Sequence, residues 1–240
     1  MKKGQIIFAL ALTVAFAVMP ESSFAQEAAS WDKVLLNKFI EGGAGFMSLV
    51  LIALILGLAF CIERIIALSL ASTNTKKLLD NVGDNLANGN VDGAKEVCKA
   101  NRSPIASIMH QGLERVDDGV DAVEKAVVAY GSVEMGNLEK GLTWISLFIA
   151  LAPMLGFMGT VIGMIEAFDA IQAQGDISPT VVAGGIKVAL LTTVFGLVAA
   201  IILQIFYNFI VTRIDSIVND MEGSSITFVD MLIHHNIVKK

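Results

Sequence analysis

Three stretches of this 240-residue chain are predominantly apolar over the length of a bilayer span. Gly45 to Ile62 is apolar except for Ser48 and closes on Glu63-Arg64; the second runs from about Leu142 to Phe168 and the third from about Val181 to Val211. Crossing a bilayer takes roughly 20 apolar residues, so each is long enough. Hydrocarbon offers no water to backbone N–H and C=O groups, so each is predicted to be an α-helix. A fourth apolar run, Ile6 to Val18, is short, follows Lys2-Lys3 and precedes the small-x-small triplet Ser23-Phe24-Ala25. That is the layout of a secretory signal peptide cut after Ala25.

Cleavage there leaves the new N-terminus outside and puts the 63–141 loop and the tail after 211 in the cytoplasm. The basic residues fit. Arg64, Lys76, Lys77, Lys95, Lys99, Arg102, Arg115, Lys125 and Lys140 lie on the loop and Arg213, Lys239 and Lys240 on the tail, whereas residues 170–180 carry none. The expected layout is a signal peptide (1–25), a periplasmic segment (26–44), a first span (45–68), a cytoplasmic helical loop (69–140), a second span (141–169), a periplasmic loop (170–180), a third span (181–211) and a cytoplasmic tail (212–240). The expected fold is an all-α integral membrane protein, with the second and third of its three transmembrane helices extended into the cytoplasm.

The extension of the second span rests on a heptad pattern. From Met109 the apolar residues fall at Leu113, Val116, Val120, Val123, Val127 and Tyr130, in alternating steps of four and three. Ser103-Pro104 and Ser178-Pro179 each offer an N-cap serine followed by proline at the first helical position. Between Pro104 and Pro153 there is no other proline. One helix from 105 to 168 is therefore predicted, roughly 95 Å long at about 1.5 Å per residue, with Gly131 and Gly136 as its bend points. Residues 76–100 read as short helices around Asn88-Gly89-Asn90.

Composition narrows the class further. Hydrophobic residues make up 55% of the chain and charged ones 17%, against about a quarter charged in soluble domains, and the mean hydropathy is +0.68. The net charge of −6 argues against nucleic acid as a partner. Cys61 and Cys98 make no disulfide framework; Cys61 reads as a small apolar filler and Cys98 as an inert reduced thiol. No P-loop pattern is present, and His110, His234 and His235 share no ligand spacing with Cys98. No metal, cofactor or catalytic constellation is expected, and the chain does not read as an enzyme.

The spans differ in what they can face. Large aliphatic residues dominate the first, which suits lipid. In the second, Ala152, Gly156 and Thr160 step by four, joined by Gly159 and Gly163; in the third, Gly185, Ala189, Thr193, Gly196 and Ala200 form one stripe. Small residues at this spacing let helix backbones approach closely in a membrane, where packing rather than hydrophobicity drives association. Thr160, Thr192 and Thr193 add three hydroxyls to these two helices. Each can bond its own backbone or, on the wall of a central cavity, hold water and pass a proton. At the outer end, folding the hairpin near residue 175 brings Lys187 toward Glu166, with Asp169 nearby. An interhelical ion pair between Lys187 and Glu166 is one reading, because an unpaired charge at the edge of lipid is costly; two separate interfacial charges in water are the other.

Two segments carry a resemblance. Leu151-Ala152-Pro153-Met154-Leu155-Gly156-Phe157-Met158-Gly159-Thr160-Val161-Ile162-Gly163-Met164 and Gly185-Ile186-Lys187-Val188-Ala189-Leu190-Leu191-Thr192-Thr193-Val194-Phe195-Gly196-Leu197 resemble the two signature spans of the MotA/TolQ/ExbB proton-channel family, and most nearly its ExbB members. The resemblance implies a homo-oligomeric ring, typically a pentamer, around single-span helices of an ExbD-like partner. It implies proton flow past an aspartate of that partner, with the motion passed through a TonB-like protein to outer-membrane receptors. The family's pore-facing threonines fall on Thr160 and Thr193, with Thr192 beside them. Two positions depart from the family's pattern: Val188 stands where many members carry a glutamate, and Ile202 where a proline often follows Gly-Leu. Proton transfer would then rest on the partner's aspartate, the threonines and water, and the ion is left open between H⁺ and Na⁺. The same resemblance accommodates a TolQ-like or gliding-motor stator subunit, and the missing glutamate a non-conducting membrane scaffold.

Overall fold

The computed structural model describes residues 31–72, 74–175 and 179–238. The expected signal peptide and the Ser178 cap lie outside the described residues. The described residues are all-helical, and three of their helices are long and apolar enough to cross a membrane. The chain divides into two units, residues 1–40 and 41–240. Of the first, the described part is most of helix α1 (Trp31–Glu41), on which Leu35, Leu36 and Ile40 are exposed.

The second unit is built on α2 (Ala44–Ala71) and on two later long helices, with four shorter ones between. Those are α3 (Thr75–Ala87), α4 (Val91–Ala100), α5 (Pro104–Leu113) and α6 (Val120–Glu139). The long pair is α7 (Leu142–Gln174) and α8 (Pro179–His234). Polar side chains set where the short helices begin. Asn74 accepts a hydrogen bond from the Lys77 N–H, Asn90 from Gly93 and Ser103 from Ala106, and Pro104 follows Ser103 at the first helical position. The turn between α3 and α4 passes through Gly89 at φ 69°, a left-handed conformation that glycine adopts without Cβ strain.

Residues 105–168 do not form the single helix that the heptad predicts. The chain turns after Leu113, where Gly119 has φ 97°, and again at Lys140-Gly141, where Gly141 has φ 92°. A residue with a Cβ is strained at such angles, so these two glycines, at the N-caps of α6 and α7, fix the two breaks. At Gly141 a Cβ would also sit 3.3 Å from the Arg64 side chain. Gly131 and Gly136, the predicted bend points, lie inside α6 with nothing packed over them. Most of the heptad seam survives the break: Met109, Leu113, Val116, Val123 and Val127 are buried, while Val120 is half-buried and Tyr130 exposed, because α5 and α6 pack on each other and both pack on α8.

Helix α8 organises the unit. Its 56 residues reach about 84 Å, roughly twice what a bilayer needs. One stripe is buried along its length, from Ala189, Thr192, Gly196 and Ala199 through Leu203, Ile210, Ile214 and Ile217 to Met221, Ser224, Phe228 and Leu232. The first part of the stripe meets α7 and α2; the rest joins the apolar core made by α3 to α6. On α2 the buried stripe is Met47, Val50, Ala53, Gly57, Cys61 and Leu68. Its other faces expose Leu49, Leu51, Ile52, Ile55 and Leu56, as a lipid-facing helix should.

Candidate functional site

Helices α7 and α8 touch backbone to backbone. A Cβ on Gly156 would lie 2.8 Å from the Thr192 carbonyl oxygen, one on Gly196 2.6 Å from that of Ala152, and one on Gly159 2.8 Å from the Thr192 Cβ. Nearer the start of α8, a Cβ on Gly185 would run into Ala167, and one on Gly163 would lie 3.3 Å from the Ala189 nitrogen. Ala152 and Ala189 are buried in the same seam. Ala200 lies to the side, half-buried against the cluster of Val50, Ala152 and Ala199. The sequence holds this contact with small residues because van der Waals approach, not solvent exclusion, binds helices in lipid. Pro153 sits inside α7 without ending it.

The three threonines fall into two environments. Thr192 is 1% exposed, covers Gly159 and donates to the Ala189 carbonyl at 2.8 Å. It belongs to the packed seam, not to a face that could line a cavity. Thr160 and Thr193 are half-buried at the edge of the seam, and their hydroxyls bond each other. Around them stand two carbonyls. Ala189 O lies 3.1 Å from the Thr160 hydroxyl and 3.4 Å from that of Thr193; Gly156 O lies 3.3 Å and 3.4 Å away.

Two hydroxyl protons thus meet more acceptors than they can fill. Thr160 can donate to Thr193, which donates to a carbonyl, or the chain can run the other way. Both arrangements satisfy both hydroxyls, so the pair can reverse its polarity locally. Neither hydroxyl ionises near neutral pH. The pair can orient water or a partner carboxylate, but it cannot store a proton. Residues 142–165 and 188–211 contain no carboxylate.

The charges near the start of α8 do not form the Lys187–Glu166 pair. Lys187 Nζ lies 3.0 Å from Glu41 Oε2, so its partner is the residue just ahead of α2 and not Glu166. Glu166 and Asp169 are exposed on α7. The hairpin geometry explains the error: Lys187 projects from α8 toward the α2 side, where Gly43 and Val188 also meet. Val188 itself is half-buried, its Cγ1 3.4 Å from where a Gly163 Cβ would be.

At the other end of α2, Arg64 Nε donates to Glu63 Oε2 at 2.6 Å and its side chain covers Gly141. Phe60 stacks on both Trp144 and Phe148, with ring centroids 6.0 Å apart in each pair, joining α2 to the start of α7. The Arg213 guanidinium donates to Ser72 Oγ at 3.0 Å, tying α8 to the end of α2. Sequence reasoning missed Glu41 and this tie, since both join residues far apart in the chain. Cys98 is buried in the core of the short helices, and burial pushes its thiol up to about 12.

Comparison with known proteins bears on this geometry. Residues 100–223 match the family model described as the MotA/TolQ/ExbB proton channel family; the match includes the whole of α7 and the seam half of α8 and leaves out α2. An ExbB homolog of biopolymer transport from Methanothermobacter thermautotrophicus is 33% identical over 169 residues, 70% of this chain and 60% of that protein. An ExbB-like biopolymer transport protein from Synechocystis is 28% identical over 181 residues, 74% of this chain and 71% of its own length. The Tol-Pal system protein TolQ of Haemophilus influenzae is 33% identical over 87 residues, 36% of this chain and 38% of TolQ. The chain spans about three-fifths of the Methanothermobacter relative's length. With more than half of its residues matched, including both helices of the small-residue seam, this membrane protein belongs to the MotA/TolQ/ExbB proton channel family and resembles its ExbB members.

Proposed function

We propose that the chain is an ExbB-like subunit of an inner-membrane motor driven by the proton-motive force. In this reading it forms a homo-oligomeric ring, pentameric by family resemblance, around an ExbD-like single-span helix and couples through a TonB-like protein to transport at the outer membrane. The N-terminus is periplasmic and the distal half of α8 cytoplasmic. The observation that carries the reading is the Thr160–Thr193 hydroxyl pair at the half-exposed edge of a seam without carboxylates. Such a pair gives the ion a polar step and leaves proton storage to the partner's aspartate.

Flux measurement tests it. The chain is purified with its co-expressed single-span partner and reconstituted in liposomes holding a pH-sensitive dye. The expected result is flux under a proton gradient that an aspartate-to-asparagine change in the partner abolishes. Sodium flux in place of proton flux would keep the motor and change the ion. An intact complex that conducts neither would favour the second reading, a membrane scaffold, for which the packed Val188 is the supporting observation. A TolQ-like load, suggested by the Haemophilus relative, would be separated by which receptors or envelope genes lie beside the coding sequence.

A further inference from the structure

Beyond the ion path, a second polar feature lies where α2 ends. A cleft of about 490 Å³ opens between the start of α3 and the end of α4. Its charged lining is Lys77 and Arg102, and no carboxylate lines it. Both side chains are exposed, and neither lies within ion-pair distance of an acid among the described residues. Three amides, Asn74, Asn81 and Asn101, complete the polar rim over an apolar floor that includes Leu78. The rim is held in place: Asn74 accepts from the Lys77 N–H at 3.2 Å and Asn101 from the Ser103 N–H at 3.0 Å. Two unneutralised cations with amide donors around them form a site for a phosphate group.

The source of that phosphate follows from depth. Helix α2 has 28 residues and reaches about 42 Å, the roughly 40–45 Å of a bilayer with its headgroups. Its last large apolar residue, Leu70, is 77% exposed, and Asn74 at the cleft follows one turn later. On α8 the change falls at the same level, from exposed Phe209 to Arg213, which bonds Ser72. The cleft therefore opens at the headgroup layer. We infer that it binds the phosphodiester of an anionic phospholipid in the leaflet at this end of the spans, with Lys77 and Arg102 as its two cationic contacts.

The test uses the full-length chain in nanodiscs of phosphatidylglycerol mixed with phosphatidylcholine, with retained lipid counted by native mass spectrometry after delipidation. Wild-type protein should retain phosphatidylglycerol over phosphatidylcholine. Lys77→Gln and Arg102→Gln should each weaken that retention about fivefold, the weight of one basic side chain at an anionic membrane surface. Lys125→Gln, which removes an exposed charge on α6, should leave it unchanged, and thermal unfolding of all three variants should match wild type. Equal retention of the two lipids, or equal loss in all three variants, would overturn the inference. So would displacement of the bound lipid by millimolar inorganic phosphate, which would make the cleft a site for free phosphate.

Discussion

The two halves of α8 pack by opposite means. From Ala189 to Ala199 the buried residues are glycine, alanine and threonine, and the neighbouring helix comes close enough that a methyl group on Gly196 would strike a backbone carbonyl. From Ile214, past the third span, to Leu232 the same stripe carries isoleucine, methionine, phenylalanine and leucine with one serine, Ser224, set into a core of short helices. The environment explains the difference. In lipid, burying a large side chain gains little, so affinity comes from close backbone approach. Outside it, each buried aliphatic or aromatic side chain is worth about 1.5–3 kcal/mol. One helix thus changes, along a single stripe, from small residues at a backbone contact to large side chains in a core.

The largest effect should come from the distal half. Phe228 is fully buried, with a ring carbon 2.7 Å from the position of a Gly112 Cβ. Phe228→Ala should cost about 3–5 kcal/mol, read as a lower thermal midpoint in detergent; a loss below about 1 kcal/mol would mean the distal core is not cooperative. Next comes the seam. Gly196→Ala places a methyl 2.6 Å from the Ala152 oxygen and should cost about 1–3 kcal/mol, measured as folded yield and midpoint. Gly136→Ala, on a helix face with nothing against it, should instead gain about 0.5–1 kcal/mol. If both glycine changes were neutral, the backbone contact would not be what holds the seam.

Cys98 sharpens the contrast by pH. Its thiol keeps its proton to about pH 12 when folded and releases it near the ordinary 9.0 when unfolded. The unfolded chain therefore binds fewer protons above pH 9, and this group's contribution to stability, intact below that point, falls as pH rises toward 12. In a Cys61→Ala background a disulfide reagent at pH 8 should leave Cys98 unlabelled until denaturant is added, followed by absorbance. The smallest effect belongs to the exposed Glu41–Lys187 pair. Lys187→Met should change stability by no more than about 1 kcal/mol, and less in high salt.

Much of the membrane half was legible in the sequence because its rules are local. Span length, the spacing of Gly156, Gly163, Gly185 and Gly196, and the positions of Thr160 and Thr193 all follow from pattern along one helix. What was not legible depended on which way a helix face turns. Thr192 neighbours Thr193 in the chain, yet the helical step of about 100° per residue carries it into the seam. Lys187 turned toward Glu41 for the same reason. The break before α7 hid behind a heptad that both the continuous and the broken chain satisfy; the positive φ of Gly119 and Gly141, not the apolar pattern, decided between them.

The central claim is that the hydroxyls at the seam's edge serve the ion and not the packing. Its most direct test is flux in liposomes containing the chain with its single-span partner, comparing wild type with Thr193→Val and Thr193→Ser. Valine keeps the shape and removes the hydroxyl, while serine restores it. The account predicts that all three form intact complexes, that valine cuts flux about tenfold, the equivalent of one lost hydrogen bond of about 1.4 kcal/mol, and that serine recovers most of it. Intact valine complexes conducting at the wild-type rate would contradict the claim, and Thr160 and Thr193 would then be helix–helix glue.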